Sequence, residues 1–282
     1  MEDQIYDPRD LPADTACRTG NSETWEDIED FGENYLDELR TLLPYEHGTP
    51  SHDRIRTFWG LIKPSVINKL LAKWALLMQS DEGEKICRLV NIDGKTLKGS
   101  RSKDFKAIHI VNAYAPGPGL VLGQVAVKGK SNEITAIPEL LGMFDLKGKL
   151  ITIDAMGTQK SIAMMITKEK GDYLLAVKKN HKTLHAEIEA IFSDEVLLEQ
   201  LRDEGSYFRS EDGALNRQAV REYYQYDDLE AMDESHKWPG IKTIGMSLNT
   251  VTQNGKTSRE VRYYLSSIKQ GIGEFHLSVR GH

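Results

Sequence analysis

Two aspartates in this chain stand at the ends of apolar, strand-like segments. In KLITIDAMGTQK (149–160), the β-branched Ile151, Thr152 and Ile153 follow a Lys-Gly-Lys turn and predict a buried strand that delivers Asp154 at its end. VNIDGKTLKGS (90–100) repeats the arrangement, with Asp93 followed by the small Gly94. A carboxylate beside an apolar strand is costly unless a cation, hydrogen bonds or a metal offsets it. Two of them side by side repel unless a cation sits between them. Such oxygen ligands suit Mg²⁺ or Mn²⁺, which take one or two carboxylates and leave positions for phosphate and water. Two such ions can activate water at a phosphodiester and stabilise the leaving oxygen. A plainer reading stays open. Asp-Gly is a common tight-turn pair, and Asp154 could simply cap the helix that follows it.

For the acids to meet, the elements around them must bring two strand ends together. ICRLVNID (86–93), AIHIVNAY (107–114) and LVLGQVAV (120–127) read as strands joined by short, turn-rich connections, hence antiparallel neighbours. A helix over 131–144 with Ser131 as its cap, the strand ending at Asp154, a helix over 158–171, a strand over 172–180 and a long helix or a pair over 181–201 follow. That order predicts an α/β fold: three antiparallel strands, then crossover units that require parallel pairing. In such a sheet the first and fourth strands can be neighbours, with both carboxylates on one rim.

The flanks differ in texture. Residues 23–43 place apolar side chains at spacings of three and four, predicting one amphipathic helix or two that meet near Gly32. Ser51 is a candidate cap for a short helix over 52–60, and 65–78 predicts a strong helix. Segments 219–226, 241–251 and 258–267 are strand-like, with a hairpin turn at Gln253-Asn254-Gly255. A final helix is expected to start near Gly273. The domain reading is 1–84 helical, 85–204 core, 205–267 a β-rich insertion and 268–282 the start of the last core helix.

The net charge of −7 hides a division. Residues 1–50 hold 14 acids against 3 Lys or Arg, whereas the remainder holds 29 acids against 33 bases. Seven bases, Lys95, Lys98 and Arg101 among them, lie between Lys85 and Ile110 against Asp93 and Asp104. That excess suits a polyanion, and a solvated strand edge would look similar. No apolar run approaches the ~18 residues of a membrane helix. The acidic start MEDQIYDPRD is unlike a secretory signal, and Cys17 and Cys87 match no metal spacing, so a cytoplasmic, reducing setting is expected. Other motifs fail. Gly94-Lys95-Thr96 lacks the earlier glycine of a phosphate-binding loop, where Leu89 stands. His181 and His185 have zinc-protease spacing, but Lys182 occupies the glutamate position, so they are read as two histidines on an exposed helix face.

Taken together, VNIDGKTLKGS, AIHIVNAYAPGPGLVLGQ, KSNEITAIPELL, LITIDAMGTQ and DYLLAVKKNHKTL resemble, in order and spacing, the core of insertion-sequence transposases of the ISAs type. These include the H-repeat-associated proteins found beside Rhs elements in bacteria. ETWEDIEDFG and GTPSHD resemble that family's N-terminal associated region. The resemblance implies a ribonuclease-H-like mixed sheet, a DDE triad, a Mg²⁺ or Mn²⁺ cofactor, and DNA strand cleavage and transfer at insertion-sequence ends and target. It matches Asp93 and Asp154 to the first two acids, as catalytic residues and metal ligands. Lys95, Lys98 and Arg101 would then contact DNA phosphates, which positions DNA without reading its sequence. No membrane partner is expected, and self-association is.

The departures from the family pattern carry their own expectation. Its third acid lies in a His-Trp-x-Ile-Glu-Asn motif, whose first residue would be His282 and whose glutamate would be the fourth residue past it. ADTACRTGN stands where an apolar helix is usual, His181 stands where Gln is usual, and Glu274 is the nearest other acid, read as a surface residue. The expectation is therefore a transposase-like protein shortened at the C-terminus and at the N-terminus, with impaired or absent catalysis. The alternative is a non-catalytic DNA-binding or interaction protein that keeps the fold.

Overall fold

The computed structural model describes residues 24–63, 66, 67, 70, 88–96, 109–117, 119–127, 133–214 and 216–281. The chain forms two compact units, residues 1–67 and 68–282. The helix expected over 65–78 falls largely outside the described residues, as do Ser131, Lys98 and Arg101.

The first unit contains α1 (Trp25–Asn34), α2 (Leu36–Leu39) and α3 (His52–Leu61). Thr24 and Asp27 form a reciprocal capping box at the start of α1, at 2.8 and 3.1 Å. The amphipathic stretch breaks at Tyr35, not at Gly32, which is buried inside α1. A methyl group on Gly32 would lie 2.7 Å from the Thr49 hydroxyl, so close packing explains this glycine. Ser51 takes the capping position of α3 without using its side chain. Glu29 substitutes, accepting from the His52 backbone N–H at 3.2 Å. Ile28 and Ile55 join the two longer helices, flanked by Trp25, Phe31 and Trp59.

The second unit is built on one nine-stranded sheet, in the order β3-β2-β1-β4-β5-β9-β8-β7-β6. The strands are β1 (Leu89–Thr96), β2 (His109–Ala115), β3 (Leu120–Val127), β4 (Leu150–Ile153), β5 (Asp172–Val177), β6 (Tyr207–Ala214), β7 (Arg217–Tyr226), β8 (Thr243–Gln253) and β9 (Lys256–Ser266). Between them run α4 (Glu133–Leu141), α5 (Lys160–Lys168), α6 (Lys182–Ile191) and α7 (Glu195–Asp203), with α8 (Ile272–Arg280) last. β1, β2 and β3 pair antiparallel, while β1, β4 and β5 pair parallel. This is the ribonuclease-H-like arrangement. The segment over 181–201 is a helix pair, because Asp194 starts α7 by accepting from the Val196 and Leu197 amides at 2.9 and 3.3 Å.

The strands of 205–267 continue the same sheet as an antiparallel meander. β9 joins β5 over a seam of four residue pairs, from Leu174–Ser266 to Val177–Tyr263. Side chains reinforce the seam: Ser266 Oγ donates to the Tyr173 carbonyl at 3.0 Å, and Ser267 Oγ accepts from the Tyr173 amide at 2.9 Å. At the far end, Gln253 pairs with Lys256 across Asn254 and Gly255, both at positive φ, which makes the tight turn expected there.

Alternation along the strands gives the sheet two apolar faces. Val90, Ile92, Ile151, Ile153, Tyr173 and Leu175 belong to the large core. Leu150, Leu174, Tyr223 and Tyr264 pack instead with Phe275 of α8. Gly245 lets α8 approach, since a methyl group there would lie 2.2 Å from the Phe275 ring. Among the described residues no helix is long and apolar enough to cross a membrane.

Candidate active site

The rim is set by strand register. Asn91 pairs with Thr152 and Ile92 with Ile153, so Asp93 and Asp154 are the next residues along neighbouring parallel strands. Thr152 Oγ1 donates to Asn91 Oδ1 at 2.8 Å, which shows that these two side chains share a face. Period-two alternation carries Asp93 and Asp154 to that face, the one on which α8 lies. Neighbouring strands are ~4.8 Å apart, which brings two carboxylates within reach of a shared ion.

The two acids have different surroundings. Asp93 is about half exposed, and its Oδ2 lies 3.6 Å from the Lys95 ammonium, two residues on in the same strand. Asp154 Oδ1 accepts from the Met156 and Gly157 amides at 3.1 and 3.2 Å. These bonds fold the chain into a turn; they do not cap α5, whose capping position is Gln159. The Asp154 Oδ2 atom has no hydrogen-bond partner among the described residues. One oxygen thus holds the loop and the other is free to ligate.

Residues that sequence reasoning passed over pin this loop. Thr158 is fully buried and donates to the Ala176 carbonyl at 2.7 Å and the Asp154 carbonyl at 3.1 Å. Asn180 donates to the Ala155 carbonyl at 2.8 Å, and His181 Nε2 meets the Thr158 carbonyl at 2.7 Å. His181 therefore does not sit on an exposed helix face. It occupies the capping position of α6, turned back toward the Asp154 loop, with its ring edge-on to Trp238 at 5.5 Å. His185 is also mostly covered, against the Tyr263 ring at 5.1 Å. The signal available in the sequence was Asn180-His181 directly after a strand parallel to the Asp154 strand. The exposed Lys178 and Lys179 leave β5 at the same end of the sheet.

Other acids lie elsewhere. Glu133 is buried in α4 with its carboxyl carbon 2.8 Å from where a Gly94 methyl would stand, which puts it on the opposite face of β1 from Asp93. Glu274 is exposed on α8, beside Leu89 and Leu150, the first residues of β1 and β4. β1 runs on past Asp93 to Thr96, still paired with β2, so Asp93 lies inside its strand and not at the end expected for it, whereas Asp154 directly follows β4. Four strand positions amount to ~13 Å, so Glu274 does not join the pair. Among the described residues no three His, Cys, Asp or Glu gather as a metal-binding group. The Asp93 carboxylate and the Asp154 oxygen that has no partner among the described residues supply oxygen donors that fit one hard divalent cation.

The α8 helix closes the site from one side. Its last turn ends at Gly281, whose carbonyl accepts from Asn91 Nδ2, two residues before Asp93.

Known proteins are similar to this chain in sequence over most of its length. Residues 88–244 match the family model described as Transposase DDE domain, and residues 15–75 match the model described as DDE_Tnp_1-associated. The chain is 39% identical to "Putative protein YbfL" of Escherichia coli (strain K12), over 93% of this chain and 69% of that protein. It is 38% identical to "H repeat-associated putative transposase YhhI" of the same strain, over 95% and 71%. A protein of Xanthobacter autotrophicus, "Uncharacterized protein in dhlA 3'region", is 33% identical over 86% and 81%. Among solved structures, a cryo-EM structure of piggyBac transposase in a synaptic complex with hairpin DNA aligns over 93% of this chain and 51% of its own, at 15% identity and a TM-score of 0.33. With the DDE domain covering more than half of its length, the chain belongs to the DDE transposase family.

Proposed function

We propose that this chain takes part in DNA transposition by metal-dependent strand cleavage and strand transfer, with Asp93 and Asp154 as the catalytic acids and the ligands of Mg²⁺ or Mn²⁺. The observation that carries this is their placement at adjacent positions of two parallel strands, with one Asp154 oxygen unengaged. A divalent ion held there supplies activation of water and stabilisation of the leaving oxygen at a phosphodiester. The protein's own part is to hold the ligands. Met156 and Gly157 orient Asp154, while Asn180 and His181 keep its loop in place.

Lys95 is exposed at the rim, its ammonium 3.6 Å from Asp93 Oδ2, where it would also be placed to receive a DNA phosphate. Lys98 and Arg101 belong to the same basic run of the sequence and would add further phosphate contacts.

The basic run that holds Lys95, Lys98 and Arg101 would by itself support a second reading, DNA binding without chemistry. Nicking of a supercoiled plasmid in Mn²⁺ and in Mg²⁺ separates the two. Metal-dependent nicking that disappears in both Asp93→Ala and Asp154→Ala supports cleavage. Folded protein that binds DNA and never nicks it would leave the binding reading.

A further inference from the structure

A second cluster of charge lies across α8 from the acidic rim. Arg221, Arg262 and Arg280 line a pocket of about 300 Å³ together with Ser247, Asn249, Glu260 and Tyr264. The pocket forms where the end of α8 meets the strands β7, β8 and β9. Strand pairing places Arg221, Asn249 and Glu260 in one row across the sheet, and Tyr223, Ser247 and Arg262 in the next. Tyr223 and Tyr264 pack with Phe275, so the pocket opens on the α8 face, the same face as Asp93 and Asp154. The helix end links the two places. Arg280 reaches into the pocket, and the next residue, Gly281, accepts from Asn91 beside the acids.

Three features make this a place for an anion. First, charge is in excess: Arg221 and Arg280 share the single carboxylate of Asp212, the latter at 3.3 Å, and Arg262 meets Glu260 at 2.8 Å. Three guanidiniums face two carboxylates, and guanidinium donors in a fixed fork match phosphate oxygens well. Second, polar groups in and beside the pocket lack partners among the described residues. The Asn249 side-chain oxygen, in the lining, and the Ser210 hydroxyl, next to it, are buried without a hydrogen bond there, and both belong to residues that flank Arg221 across the sheet. Buried polar atoms are ordinarily satisfied, so such a pair marks a missing partner. Rotating the Asn249 amide presents its N–H₂ instead, which gives a second neutral donor beside the serine hydroxyl. Third, Arg262 and Arg280 are about half exposed, so an anion can reach them without unfolding the sheet.

We propose that this pocket binds a phosphate of the DNA backbone, as a second anchor for the strand that the acidic rim is to act on. The inference rests on the reading of the chain as a DNA-acting transposase, but it concerns binding and not cleavage. The anchor reads no bases, since guanidinium, hydroxyl and amide donors directed at phosphate carry no sequence information.

The test uses the full chain with a labelled DNA duplex in chelator-containing buffer, with affinity measured by fluorescence anisotropy across a range of salt. Arg262→Gln and Arg280→Gln are each expected to weaken binding about tenfold and to lower the log–log salt slope by about 1. Asn249→Asp, which adds a carboxylate to the pocket, is expected to weaken binding as well, and thermal unfolding confirms that each variant is folded. In a parallel arm, the ³¹P linewidth of inorganic phosphate reports capture of the free ion. Loss of phosphate capture with unchanged DNA affinity would assign the pocket to free phosphate and overturn the DNA anchor. Unchanged affinity and slope in all three variants would overturn it too. Nicking by the wild-type chain in Mg²⁺ and in Mn²⁺ tests the other reading separately, since the anchor is measured in chelator and does not depend on cleavage.

Discussion

Thr152 donates to Asn91 across neighbouring parallel strands, and this single buried bond sits two residues behind each of the two acids. Asn91 spends its amide N–H on the end of α8 and its oxygen on Thr152. One side chain therefore ties the first strand, the fourth strand and the last helix together.

Thr152→Val keeps the shape and removes the donor. The buried Asn91 oxygen is then left without that bond, at an expected cost of about 1–3 kcal/mol. Urea unfolding measures it; an unchanged midpoint would mean that the bond contributes nothing net.

The Asp154 loop depends on His181 through the Thr158 carbonyl. His181→Ala is expected to weaken Mn²⁺ binding about tenfold, in line with other residues that orient metal ligands. His181→Gln, whose amide can donate to the same carbonyl, should restore most of it. Manganese titration followed by electron paramagnetic resonance distinguishes the two, and equal affinity in wild type and Ala would remove His181 from the site.

Gly245→Ala sets a methyl group against the Phe275 ring. Overpacking of this kind costs about 1–3 kcal/mol, and relief requires α8 to lift from the sheet. The expected result is a lower melting temperature together with faster hydrogen exchange in α8. A melting temperature equal to wild type would show that the helix yields freely.

In the first unit, Glu29 accepts from the His52 ring and its backbone amide. The side-chain hydrogen bond to Glu29 raises the His52 pKa above its ordinary value, and the same bond lowers that of Glu29. The signs define a window. The histidine's contribution is fully present below its unfolded pKa and fades as pH rises through the raised folded value. The glutamate's contribution is present above its unfolded pKa and fades as pH falls through the lowered folded value. An NMR titration of the His52 ring should show a midpoint above 6.5 that returns toward that ordinary value in Glu29→Gln. Identical midpoints would contradict the pairing.

Much of this was legible in the chain. The strand that delivers Asp154, the parallel crossovers and the Asn254-Gly255 turn follow from β-branched runs and turn chemistry, which are local signals. The strand that carries Asp93 was legible too, but not its end, because pairing with β2 carries β1 through Gly94 and Lys95 to Thr96. What escaped was non-local or polar. β6, YFRSEDGA, offers little apolar alternation, because as an edge strand it is paired along one side only, and it was passed over. His181 was misplaced because its spacing from His185 indicates a helix face, whereas its position at the start of α6 turns it back to a loop 23 residues earlier. Ser51 looked like a cap and is not used as one, since Glu29 arrives from another helix.

The short seam between β5 and β9 bears on how the molecule assembles. β6 to β9 form a run of hairpin-like neighbours, and β8 and β9 pair along eleven positions with two residues between them. The seam itself joins residues nearly ninety positions apart, Val177 to Tyr263, over four pairs. Local pairing closes loops cheaply, whereas distant pairing must wait for the ordering of what lies between. The meander should therefore zip up early as its own unit and dock onto β5 late. Pulse-labelled hydrogen exchange during refolding would then show protection at Leu248 and Glu260 before protection at Leu175 and Leu265.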